Sequence, residues 1–245
     1  YSEAQKAIEN LEALHIYSLE PKFEDLFKQG GDKSPESIFA LRYGNTTTAS
    51  LGNNLNVWFA PSKDGGYYFN APTQSLVDCY QTTAPRLDAS LGRAGQPWFD
   101  GTIFSKSWSE ATGYLVKKYN EDVVEGQARS QCTLPQHILR YADVILMKAE
   151  ILNELDNTLD AIDEVNKVRI RATLPTHESS LTKEQLRDKI RRERRCELAF
   201  EFHRFGDIMR YGKDYAESCL GIKFTGERYY FPIPQAEIDA NKALK

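Results

Sequence analysis

Residues Thr182 to Gly212, TKEQLRDKIRRERRCELAFEFHRFGDIMRYG, constrain this chain more than any other stretch. Thr182 and Gln185 fit a capping box, Leu181 and Leu186 fit a hydrophobic staple, and Gly212 suits the position just past a helix end. The spacing predicts one helix of about 29 residues, roughly 43 Å long at about 1.5 Å per residue. Steps of three and four place Leu186, Ile190, Glu193, Glu197, Phe200, Arg204 and Ile208 on one stripe. Leu198, Phe202, Phe205 and Met209 form a second stripe, so the C-terminal half is expected to be buried on two sides.

The first stripe carries two carboxylates and a guanidinium where an amphipathic helix would place aliphatics. Buried charges must be paired, because leaving one uncompensated in an apolar interior is strongly unfavourable. Arg140, Arg169 and Arg171 are the available partners, and the expectation is an internal ion-pair network that makes Glu193 and Glu197 structural. A di-iron or di-manganese site would need Glu-x-x-His pairs on facing helices, and His203 stands two residues from Glu201, the wrong spacing. The basic run Arg191, Arg192, Arg194, Arg195 is interleaved with Glu193 and Glu197 in a chain of net charge -4. It reads as a solvated or ion-paired helix face, and no nucleic-acid partner is expected.

Upstream, Ile138, Ala142, Ile145, Ala149 and Leu152 recur at helical spacing, and Leu159, Ile162, Val165 and Val168 continue it after an Asp156-Asn157 turn. Two antiparallel helices with so short a link make a helical hairpin of the TPR kind. Residues 1 to 15 carry Ala4, Ile8, Leu11 and His15 on one face, which predicts another amphipathic helix. Its start inside a helical pattern, without a cap, leads to the expectation that residues before Tyr1 are missing. Ser37 to Tyr43 alternates like a short strand, Phe231 to Pro234 must be extended, and Gln235 to Asn241 reads as a short helix. The fold class expected is mainly α, with TPR-like helical hairpins and a long loop-rich insertion carrying little β structure. Three segments follow: 1–43 helical, 44–135 loop-rich, and 136–245 with the hairpin, the long helix and an extended tail.

At 245 residues and 41% hydrophobic content the chain has room for one large or two small domains. No apolar run reaches the length of a membrane span, and YSEAQKAIEN has neither a signal peptide's apolar region nor a lipidation cysteine. Cys79, Cys132, Cys196 and Cys219 form no CxxC and have no His at zinc-ligand spacing, so no metal is expected. Cys196 reads as a buried thiol, and an oxidising compartment would permit a disulfide among the other three. No GxSxG, HExxH, P-loop or GxGxxG is present, and His15, His137, His177 and His203 are scattered. The expectation is a protein without catalytic residues or cofactor, although a carboxylate pair brought together in space, as in a glycoside hydrolase, stays open as an alternative.

Segment 44–135 loses the helical period and gains Gly, Pro, Asn, Ser and Thr, with a helix expected near Thr73 to Tyr80 and an extended stretch at Gly113 to Tyr119. A long stretch of this kind within a compact domain is usually functional. It holds all three Trp residues, 58, 98 and 108, and many Tyr and Phe. Exposed rings cover the apolar face of a pyranose while polar neighbours bond its hydroxyls. Trp58, Tyr67, Tyr68 and Trp98 lie in Gly-, Pro- and Asn-rich sequence and are the candidate ligand-binding rings; Asp64 and Asn70 are the candidate hydrogen-bonding partners.

The run ERRCELAFEFHRFGDIMRYG, read with LRYADVILMKAEILNEL (139–155), VNKVRIRA (165–172) and FPIPQAEIDAN (231–241), resembles the C-terminal half of the SusD/RagB family of outer-membrane nutrient-binding lipoproteins of Bacteroidota. The likeness extends more weakly over most of the chain. It departs from the family at Ala84-Pro85-Arg86, where the family often has Asp-Pro-Arg. The resemblance implies a cell-surface protein that captures oligosaccharide or polysaccharide and delivers it to a SusC-like TonB-dependent transporter. It also implies attachment to the outer membrane through a lipid anchor that this chain does not carry. Peptide- or protein-binding members of the same family supply the alternative ligand class.

Overall fold

The computed structural model describes residues 1–45, 50–81, 85–121, 128–224, 232–241 and 243. Ala84 and Phe231, which figure in the expectations above, lie outside them. Two compact units are present, Tyr1–Glu201 and Phe202–Lys245. The described residues form ten α-helices and three two-stranded antiparallel sheets, a mainly α fold.

In the first unit the core is a three-helix packing of α5 (Tyr141–Glu154), α6 (Thr158–Arg171) and α7 (Lys183–Glu197). Ile145, Leu146, Ala149 and Leu152 meet Ala161, Ile162, Val165 and Val168 from α6 and Leu186 and Ile190 from α7. The capping box forms as the sequence dictates: Thr182 Oγ1 accepts from the Gln185 N–H and Gln185 Oε1 accepts from the Thr182 N–H at 2.9 Å. Such a cap contributes about 1 kcal/mol. Two residues assigned to the hairpin's apolar face by period alone do not join it. Ile138 lies on strand β6 (Gln136–Arg140), which pairs antiparallel with β1 (Ser37–Leu41), and Leu159 is exposed on α6.

Helix α1 (Ser2–Glu12) is anchored by Glu12, which accepts from Lys148 of α5 at 2.8 Å. The loop-rich segment holds more short structure than its composition suggested. It contains the helices α2 (Leu55–Phe59), α3 (Gln74–Val77) and α4 (Pro85–Ser90). Two sheets join β2 (Gly44–Asn45) to β3 (Ser50–Leu51) and β4 (Leu91–Gly92) to β5 (Leu115–Val116). Gly92 is obligatory, since a Cβ there would stand 2.5 Å from Trp98 and 2.7 Å from Phe104.

The long helix is shorter than its pattern. It stops at Glu197, and Phe200 and Phe202 take left-handed φ of 68° and 69° before α8 (Arg204–Arg210) begins. The cause is local competition for one carbonyl. Arg140 Nη2 and Lys118 Nζ donate to the Glu197 C=O at 2.8 and 3.2 Å, and the Glu201 N–H turns to the Leu198 carbonyl at 3.1 Å instead. Leu198 is buried, but Phe202 and Phe205 of the supposed second stripe are exposed, and Arg204 bonds Tyr215 within its own unit.

The charged stripe is the ion-pair network expected, and it is larger than the sequence indicated. Arg140 donates to Glu36 at 2.5 Å, to Glu197 at 2.7 Å and to both oxygens of Glu201 at 2.7 and 2.9 Å. Arg171 binds Glu197 and Glu36, and Arg169 binds Glu193 at 3.0 Å. Arg86 spans Glu193 and Glu197 at 2.6 and 3.0 Å, and Lys118 binds Glu201 at 2.6 Å. Five cations thus surround four carboxylates, and the side chains of all nine are buried. Burial alone would push the Glu197 carboxyl up, but Arg171, Arg140 and Arg86 hold it well below the usual range. Burial is likewise outweighed at Glu201, where Arg140 and Lys118 bring it down to about 2. At Lys118 burial prevails over Glu201 and lowers the ammonium to about 8. The basic run is also consumed internally: Arg194 pairs with Asp143 at 2.6 Å, and Arg195 donates to Ser75 at 3.0 Å.

The second unit carries α8, α9 (Lys213–Leu220) and α10 (Gln235–Ala240). Ile208 and Ala216 are buried between Met209, Tyr215 and Phe224, and Gly212 joins α8 to α9 at a φ of 98° that favours glycine.

Candidate functional site

The five-residue helix α2 is too short to satisfy its own C-terminal carbonyls, and the chain returns to supply the donors. Tyr67 N–H donates to the Val57 carbonyl at 2.9 Å, Phe69 N–H to Trp58 at 2.7 Å and Tyr68 N–H to Ala60 at 3.1 Å. The return is tight, since a Cβ on Gly66 would lie 2.2 Å from the Ala60 oxygen. Arg129 fastens the turn from outside, with Nε on the Asp64 carbonyl at 3.1 Å and Nη1 on Asn56 Oδ1 at 2.9 Å.

This zipped segment is an aromatic ledge. Tyr67 and Phe69 are 54% and 55% exposed, with centroids 5.4 Å apart and ring planes 30° apart. Trp58, 40% exposed, sits on the carbonyl that receives Phe69. Asn70, exposed and at a left-handed φ of 53°, ends the ledge. Phe69 was absent from the sequence-derived set. The signal available was its place in the same Gly- and Asn-flanked aromatic run, Gly66-Tyr67-Tyr68-Phe69-Asn70.

The other candidate rings face inward. Tyr68 packs against the cluster of Trp98, Phe104 and Leu115, with Phe99 and Trp108 at its edge. Trp98 is only 2% exposed and meets Phe104 at 5.4 Å and Trp108 at 6.3 Å, so the expectation of an exposed ring fails there. A glycine at 92 lets the indole close against β4, and the ring joins a satellite core beneath the loops. Asp64 is half-buried and its carboxylate is held by Lys63 at 2.8 Å, while Lys63 also lies 4.2 Å over Trp108.

Residues 35–223 match the model of the SusD family, more than three-quarters of the sequence. The chain belongs to the SusD family. A SusD-like protein of Formosa agariphila is 27% identical over 274 residues, covering 95% of this chain and 53% of the relative. The chain spans about half the length of the curated relatives it matches. A SusD superfamily protein of Bacteroides vulgatus shares 25% identity at a TM-score of 0.76, over 98% of this chain and 57% of that one. The fold is also that of surface glycan-binding protein A of Bacteroides thetaiotaomicron in complex with laminarihexaose, at 23% identity and TM-score 0.75, over 100% and 59% of the two chains. In this SusD-family chain Pro85 opens α4, and Arg86 of the Ala84-Pro85-Arg86 segment points into the ion network. That arginine therefore serves the scaffold.

Proposed function

We propose that this chain is the glycan-binding part of a cell-surface protein that captures oligosaccharide or polysaccharide by stacking sugar rings on the ledge of Trp58, Tyr67 and Phe69. The observation that carries this reading is the exposed Tyr67–Phe69 pair, tilted by 30° and pinned by backbone hydrogen bonds to α2. Flat rings held by main chain lose little freedom on binding, which is what a stacking surface needs. Asn70 lies at the ledge's end to bond hydroxyls, and Asp64, tied to Lys63, is the weaker partner. Membership of a family whose relatives include a laminarihexaose complex supports a saccharide as ligand.

The same family resemblance supports the rest of the reading: the protein acts by binding and not by catalysis. It sits at the outer face of the outer membrane and passes its ligand to a SusC-like TonB-dependent transporter. No helix among the described residues is long and apolar enough to cross a membrane. Calorimetric titration with laminarihexaose and a panel of plant, algal and host polysaccharides tests the ligand. The parent is expected to bind one of them and the Trp58→Ala, Tyr67→Ala and Phe69→Ala variants to bind it more weakly. Full affinity in all three would place the site elsewhere, and shortening of any polysaccharide would turn the reading to hydrolysis.

A further inference from the structure

Cys79 and Cys196 are 117 positions apart, yet Cys196 Sγ donates to Cys79 Sγ at 3.3 Å. Hydrogen bonds on both sides hold the two segments together: Arg192 Nε donates to the Cys79 carbonyl at 2.9 Å, and the Tyr80 hydroxyl donates to the Cys196 carbonyl at 2.8 Å. Neither cysteine is in a disulfide; Cys196 is buried and Cys79 half-buried. A cavity of about 40 Å³ is lined by both cysteines, by Arg86, Arg169, Lys189 and Arg192, and by one carboxylate, Glu193. Cations beside a sulfur favour the thiolate, which is the species that performs thiol–disulfide exchange.

We propose that Cys79 and Cys196 are a disulfide-forming pair, which closes in an oxidising compartment and tethers the segment after α3 to the end of α7. The sequence had set Cys196 aside as a buried thiol and left any bridge to the other three cysteines. Cys79 is half-buried and Cys196 buried, and the hydrogen bond to Cys79 and burial push the Cys196 thiol well above its ordinary range, so Cys79 reacts first. Its thiolate attacks one sulfur of a disulfide oxidant, the oxidant's S–S bond breaks and one thiolate leaves. The Cys196 sulfur then attacks Cys79 in the mixed disulfide and expels the second thiolate. The two cysteines lose two electrons and two protons, and the oxidant leaves as two thiols.

The purified chain is incubated with oxidised glutathione, then alkylated and mapped by mass spectrometry without reduction. A peptide linking Cys79 to Cys196 is expected. Because the bridge closes a loop of 117 residues, the oxidised form should melt about 5 °C or more above the dithiothreitol-reduced form. Cys79→Ser should abolish the difference, and the comparison within the unsubstituted chain holds whether or not that variant folds. Both cysteines still alkylated after oxidation, or a bridge to Cys132 or Cys219, would overturn the proposal, as would equal melting of the two forms.

Discussion

Lys118 lies 4.4 Å over Phe27 and 4.8 Å over Phe23 in the ion-pair hub, whereas Tyr67 on the ledge meets Phe69 at 5.4 Å and keeps more than half its surface open. Both places combine aromatic rings with polar groups inside the same unit. In the hub each charge is enclosed by partners, so its energy is already committed to the fold and taking away one member exposes a deficit. On the ledge the backbone is satisfied and the rings are not, so what remains unused is apolar surface. Side chains of one chemical kind stabilise in the first setting and are free to recognise in the second.

Acidification should break the comparison most completely. Glu201 is held at about 2 against an ordinary 4.5, and Glu197 lies well below its ordinary range. For carboxyls depressed in the folded state, the unfolded chain takes up protons first as pH falls. Their stabilisation is therefore whole above pH 4.5; that of Glu201 is lost on the way down to about 2, and that of Glu197 fades over the same fall and below it. Circular dichroism should record unfolding inside that window, with ligand affinity flat above it. A fold that persists unchanged at pH 2 would mean that the hub contributes little.

Glu197→Ala removes one carboxylate and leaves Arg140, Arg171 and Arg86 short of a partner, which should destabilise by about 3–5 kcal/mol in urea titrations. Ligand affinity of the fraction still folded should not change. Normal melting with abolished binding would reverse the roles assigned to hub and ledge. Trp98→Ala belongs with the hub by burial, at about 3–5 kcal/mol of stability.

The ledge variants sharpen the contrast at smaller scale. Trp58→Ala, Tyr67→Ala and Phe69→Ala should each leave stability within about 0.5 kcal/mol of the parent. Each should lose about 1–3 kcal/mol of glycan affinity, by analogy with aromatic stacking on bases. A variant that loses stability and keeps affinity would belong with Trp98.

What the sequence disclosed follows the range of the interactions. The capping box was legible because Thr182 and Gln185 are neighbours on one turn, and α5 and α6 because their apolar faces repeat locally. The end of α7 was not legible, because the carbonyl of Glu197 is taken by Lys118 and Arg140, 79 and 57 positions away. Arg86 and Lys118 escaped notice for the same reason, standing in sequence without helical period. At the candidate site, Trp58 and Tyr67 were singled out by composition and are exposed, but composition does not say which way a ring turns. Trp98 and Tyr68 went inward because Gly92 and the Phe104 cluster receive them, a fact of tertiary packing.

The hub also bears on the order of events during folding. Its bonds join residues 24 to 135 positions apart, and those that bring in Glu36, Arg86 and Lys118 span 79 to 135, whereas α5 and α6 are separated only by Leu155 to Asn157. Closing long loops is entropically slower than pairing adjacent helices. The hairpin is therefore expected to acquire amide protection first, and the segments around Glu36, Arg86 and Lys118 together and last. Pulsed hydrogen exchange during refolding resolves the sequence, and protection of those segments ahead of α5 and α6 would contradict it. Until the hub closes, its five cations and four carboxylates remain hydrated, and the refolding chain holds its charges in solvent while its apolar helices are already packed.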